Sequence, residues 1–154
     1  MKYSPLIYFA LSLLVSPLVA YGSDARFVGT WELVSIESKT ETGDWVLADL
    51  PLSGSPVGII MYDDNGNMAV QITSSPRGTE TPAEQPEIIN GYVAYYAKYE
   101  VDPVAGTVTH HRRNHVNPEL SKLSVVRYFY FNDNDLTLTF APGRTLRLNW
   151  TRVE

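Results

Sequence analysis

"VVRYFYFNDNDLTLTF", residues 125–140, decides how this chain folds. A run of aromatic and β-branched residues ends in Asn132, Asp133, Asn134 and Asp135, and a second run then alternates leucine or phenylalanine with threonine. Successive side chains of an extended strand face opposite ways. Leu136, Leu138 and Phe140 therefore share one face, and Thr137 and Thr139 the other. A tight turn over 132–135 pairs Phe131 with Leu136, which puts Phe129, Arg127 and Val125 on the apolar face with Leu138 and Phe140. This yields an antiparallel pair with a wet outer side, and an arginine among apolar neighbours. A buried arginine is costly unless it is paired or reaches a polar ligand.

The pattern extends in both directions. Short alternating runs predict strands near 30–38, 45–48, 57–62, 67–73, 91–101, 107–114, 124–131, 135–140 and 145–152, and no helical period is evident after residue 25. Turn residues separate them. Asn65-Gly66 is a strong hairpin signal, and 102–106 and 141–143 have similar chemistry. The segment 74–90, with Pro76, Pro82 and Pro86, reads as a long irregular loop of the kind that forms binding lids or is simply mobile. Eight or nine antiparallel strands in one all-β domain suggest a barrel or sandwich. In the last strand Leu146, Leu148, Trp150 and Arg152 face one way, and Arg147, Asn149 and Thr151 the other. A polar outer face argues against a membrane barrel.

The chain has 154 residues, 44% hydrophobic, with a net charge of −5, which argues against binding to a phosphate backbone. Residues 1–22 read as a signal peptide. Lys2 precedes an apolar stretch over 6–15, and Ala20 and Gly22 stand at the −3 and −1 positions of a cut after Gly22. The stretch is short for a membrane span and is interrupted by Pro17. The barrel domain is expected over 23–154, in a soluble periplasmic or secreted protein without stable membrane insertion. There is no cysteine, hence no disulfide and no lipoprotein attachment point. No cofactor is expected.

"THHRRNH", residues 109–115, holds all three histidines. A four-residue loop over 103–106 pairs Val101 with Val108. Tyr95, Ala97, Tyr99 and Val101 then face inward, with Val108, His110 and Arg112 opposite them, while His111, Arg113 and His115 face out. A five-residue loop reverses this second strand. Adjacent histidines on opposite faces cannot share one ion, and His111 and His115 would lie about 13 Å apart along a strand, so no metal site is expected.

"FVGTWELVS" at the start and "LNWTRVE" at the end carry a resemblance. Gly29-Thr30-Trp31 is similar to the Gly-x-Trp signature of lipocalins. Arg152 falls where many lipocalins pack an arginine across that tryptophan. "GIIMYDDNGNMAVQI", "YVAYYAKYEVDPVAGTVTHH" and "VVRYFYFNDNDLTLTF" follow in the order seen in bacterial and fungal lipocalin-like domain proteins. The resemblance spans about 27–153. It implies an antiparallel up-and-down β-barrel of the calycin type, with one central cavity closed structurally by Gly29, Trp31 and Arg152. The chain departs from secreted animal lipocalins in having no disulfide and no evident C-terminal helix.

The inward set is mostly apolar with a few polar groups, as small-molecule sites usually are. The candidate ligand-binding residues are His110, Arg127, Tyr95, Tyr99, Phe129, Leu138 and Phe140. The first expectation is an exported binding protein for a small hydrophobic or amphipathic molecule. The alternatives are a cavity enzyme of the isomerase or cyclase type, using His110 as acid/base, Arg127 as oxyanion stabiliser and Tyr99 as helper donor, or a filled-barrel interaction module with Tyr96, Tyr128 and Tyr130 on its surface.

Overall fold

The structure is a computed structural model that describes residues 24–50, 55–75, 92–141 and 143–153. The leader over 1–22 and most of the segment over 74–90 lie outside these residues. The strands are β1 (Gly29–Lys39), β2 (Trp45–Leu47), β3 (Ser55–Tyr62), β4 (Asn67–Ser75), β5 (Val93–Asp102), β6 (Thr107–His115), β7 (Ser124–Asn132), β8 (Asp135–Phe140) and β9 (Leu146–Arg152). From β3 to β9 each strand pairs antiparallel with the next. β1 pairs with both β3 and β9, which closes an eight-stranded barrel, and β2 adds beside the far end of β1. The all-β, lipocalin-like up-and-down barrel expected from the sequence is the fold observed.

Local chemistry sets the registers. Asp63 Oδ1 accepts from the backbone N–H of Asn65 and Asn67 at 2.9 and 2.7 Å, and Gly66 takes the left-handed φ of +76° that the turn requires. This pairs Tyr62 with Met68. Asp102 Oδ1 accepts from Val104 and Ala105 N–H at 3.0 and 2.9 Å. The four-residue loop results, and Val101 faces Val108. Phe131 pairs with Leu136, and Arg127 with Phe140.

One end of the barrel is plugged. Phe27 and Trp31 are fully buried, and Phe27 packs edge-on against Tyr62, Phe129 and Phe131 with centroids 5.0–5.2 Å apart. Trp31 Nε1 donates to Phe27 O at 2.9 Å. Arg152 lies over the indole at 4.1 Å and donates to Val28 O and Arg26 O, both at 2.7 Å. Gly29 sits at φ +134°, and a Cβ there would stand 2.5 Å from Arg152 Nη1. The glycine is thus fixed by the arginine as much as by its own backbone.

Arg152→Ala removes the ring contact and both carbonyl contacts, and is expected to lower stability by about 2–4 kcal/mol. Gly29→Ala is expected to cost about 1–3 kcal/mol through strain and displacement of the guanidinium. Urea unfolding measures both. Losses within about 0.5 kcal/mol, the range of an ordinary surface substitution, would refute this account of the plug.

Candidate functional site

The strand ends opposite the plug enclose a cavity of about 300 Å³ that opens to solvent. Its wall is largely apolar, with Ile36, Ile60, Val70, Leu138, Phe140 and Leu148 among the lining residues. Val93 and Leu120 are its more exposed members. The polar side chains on the wall are Tyr95, His110, Arg112, His115 and Arg127, and Trp150 also borders it. Among the described residues no carboxylate, amide or aliphatic hydroxyl lines it.

Register brings these groups together. The Val101–Val108 pair places His110 opposite Tyr99 and Arg112 opposite Ala97, all facing inward. On the other side, Val108 pairs with Arg127, so the arginine also faces in. His110 is 1% exposed and Arg127 7% exposed. Tyr62 Oη lies 3.0 Å from His110 Nε2, and Tyr95 Oη 2.9 Å from its Nδ1. Burial, then the guanidiniums of Arg127 and Arg112, push His110 down to about 3, so the ring is neutral at physiological pH. Burial likewise raises the hydroxyls of Tyr62 and Tyr95.

Arg127 stacks on Phe140, its Cζ 3.6 Å from the ring centroid, and donates from Nη1 to Val126 O at 3.0 Å. Among the described residues no carboxylate pairs with it; the arginine–carboxylate ion pairs there are Arg26–Asp24 and Arg147–Glu37. Burial lowers its pKa, but a guanidinium still remains protonated. Arg112 lies over the Tyr95 ring at 4.7 Å and donates to Leu120 O at 3.3 Å, and its buried Nε has no partner among the described residues.

Several candidates from the sequence meet here: His110, Arg127, Tyr95, Leu138 and Phe140 all border the cavity. Tyr99 and Phe129 do not. The Tyr99 hydroxyl donates to Asp63 O at 2.8 Å, and Phe129 packs on Phe27 in the plug. Both face inward as expected, but nearer the closed end. His115 is a correction. It was expected outside, yet the β5–β6 register shifts between Tyr96 and Ala97, and the extra residue turns His115 inward opposite Tyr95. Its ring stacks on Tyr95 at 5.6 Å, and its Nδ1 accepts from Asn117 N–H at 2.8 Å. Side-chain contacts hold the bulge, since Asn114 Oδ1 accepts from Ser121 Oγ and His115 N–H. Tyr62 went unremarked in the sequence, though the Asn-Gly turn that pairs it with Met68 would have placed it inside.

The His110 shift makes stability pH-dependent. Its folded pKa lies below its ordinary 6.5, so the unfolded chain takes up a proton first. Stability is therefore full above about pH 6.5 and falls as pH drops toward 3. At pH 5 the expected loss from this group is about 2 kcal/mol. Urea unfolding at neutral pH and at pH 5 reads it, and His110→Gln should flatten that part of the profile. An unchanged profile in the variant would contradict a buried neutral ring.

Comparison with known proteins places the chain in a family. No match was found among curated protein sequences. One similar solved structure is described as a mutant of the fluorescent protein UnaG. It shares 15% identity, covers 83% of this chain and 96% of that chain, and superposes with a TM-score of 0.40. The model of the lipocalin-like domain matches residues 28–152, the span from the strand that carries Trp31 to the arginine that covers it. With its eight strands closed in order and its Gly-x-Trp end plugged by Arg152, this chain belongs to the lipocalin-like domain family.

Proposed function

We propose that the barrel binds a small amphipathic molecule, its apolar body in the cavity and its acidic or carbonyl head against Arg127. One observation carries this reading: a guanidinium 7% exposed, facing an apolar cavity, with no carboxylate partner among the described residues. Holding such a charge out of water costs several kcal/mol unless an anion or a set of acceptors meets it. A bound oxyanion supplies both, by a forked contact. A cavity of about 300 Å³ is at the small end of the range for ligand pockets and suits a medium-chain acid or a compact ring system.

The cavity speaks against a filled barrel. The enzyme reading is the weaker one, because both His110 nitrogens already contact tyrosine hydroxyls and burial disfavours the imidazolium that an acid/base step would form. Binding is the chemistry that remains. Export of the protein is part of the proposal and rests on the pattern of residues 1–22.

Arg127→Met separates a ligand-holding arginine from a structural one. It leaves an uncharged side chain of similar reach beside Phe140 and removes a buried charge that no carboxylate among the described residues pairs. Stability of the free protein is expected to hold or to rise by about 1–2 kcal/mol, while affinity for decanoate falls at least tenfold by calorimetry (about 1.4 kcal/mol). A variant that loses stability yet keeps its affinity would contradict the proposal.

A further inference from the structure

The Tyr62–His110–Tyr95 chain allows its hydrogen atoms to be placed. His110 is buried against two tyrosines with guanidiniums nearby, so it is neutral and carries a single ring N–H. One tyrosine must therefore donate to the ring and the other accept from it. Tyr62 is 3% exposed, does not border the cavity, and packs against the rings of Phe27 and Tyr99. Among the described residues, His110 is the hydrogen-bond partner of its hydroxyl. If Tyr62 accepted, its own proton would be buried without an acceptor, a state that folded proteins avoid. Tyr62 therefore donates to Nε2, and Nδ1–H donates to Tyr95. The hydroxyl proton of Tyr95 is left over, and Tyr95 borders the cavity.

The rest of the polar wall has the same sign. His115 Nδ1 accepts from Asn117 N–H, so the proton of the neutral ring sits on Nε2. Arg112 Nε and Trp150 Nε1 are buried donors without a partner among the described residues. Arg127 is a donor only. No acceptor side chain among the described residues balances them.

We infer that Tyr62, without touching the cavity, acts through His110 to fix Tyr95 as a donor, so that the site selects a head group made only of acceptors, an ionised carboxylate or similar oxyanion, over an alcohol of equal length. This deepens the proposed function and rests on it for the ligand, but not for the placement of the protons. An alcohol brings a proton of its own, and a wall of donors gives that proton no acceptor. Tyr62 is thus a positioning residue. A purely packing role would not set the tautomer of His110.

The test has two arms. In a long-range proton–nitrogen NMR spectrum of the labelled, ligand-free protein, His110 is expected to show protonated Nδ1 and bare Nε2, the rarer form for histidine. Tyr62→Phe should move population to the Nε2–H form. Calorimetry should find decanoate bound at least tenfold tighter than decanol, and that ratio should fall at least fivefold in Tyr62→Phe. An Nε2–H ring in the unmutated protein overturns the inference, as does a variant with unchanged tautomer and ratio. Should Tyr62→Phe not fold, the unmutated spectrum still decides the tautomer, and Tyr95→Phe carries the selectivity arm, where an unchanged ratio overturns it. Binding of neither compound with the Nδ1–H form present counts against the ligand reading, not against the tyrosine–histidine assignment.

Discussion

A positive charge held in an apolar barrel, with no counter-charge among the described residues, is the constraint on which this site turns. Arg127 sits on β7, paired with Val108 on one side and Phe140 on the other, so its direction is fixed by two ladders of backbone hydrogen bonds. The stack on Phe140 and the carbonyl of Val126 recover part of its lost hydration. Neither supplies negative charge. Replacing a buried cation with an apolar side chain is often neutral or stabilising, so the head group of the proposed ligand would give this guanidinium the partner that its described neighbours do not.

The rest of the barrel serves that arrangement. Its closed end is packed solid by Phe27, Trp31, Phe129 and Phe131 and sealed by Arg152. The opposite end is left hollow, and the polar side chains gather there. A second arginine, two imidazoles and a tyrosine share the cavity wall with Arg127, and none of them is acidic. The low pKa of His110 follows from burial and from the same crowding of cations that would attract an anion. Electrostatics and hydrogen-bond polarity thus point to one kind of head group, while Ile60, Val70 and Leu148 ask for an apolar body.

Much of this was legible in the residues. Period-two alternation gave the strands, and Asn132–Asp135 and the 103–106 loop gave their registers, from which the inward direction of His110 and Arg127 followed. Through the resemblance to lipocalins, glycine, tryptophan and arginine at 29, 31 and 152 marked the closure. Depth was not legible. Alternation separates inside from outside but does not say how far along the barrel axis a side chain lies, so Tyr99 and Phe129 were assigned to the ligand when they belong to the plug. The bulge that turns His115 inward was hidden too. It depends on contacts of Asn114 with Ser121, two residues joined only by the fold. Tyr62 escaped notice because its partner, His110, is 48 residues away.

The most direct test of the role proposed for this buried cation is the ionisation of a bound acid. Decanoate labelled at its carboxyl carbon, followed by NMR in complex with the protein as pH is lowered, reports that state. A carboxyl held against Arg127 should give a distinct bound resonance that stays in the ionised position at pH values where free decanoate is protonated. The absence of a bound resonance, or a bound carboxyl that titrates as it does in water, would contradict the account.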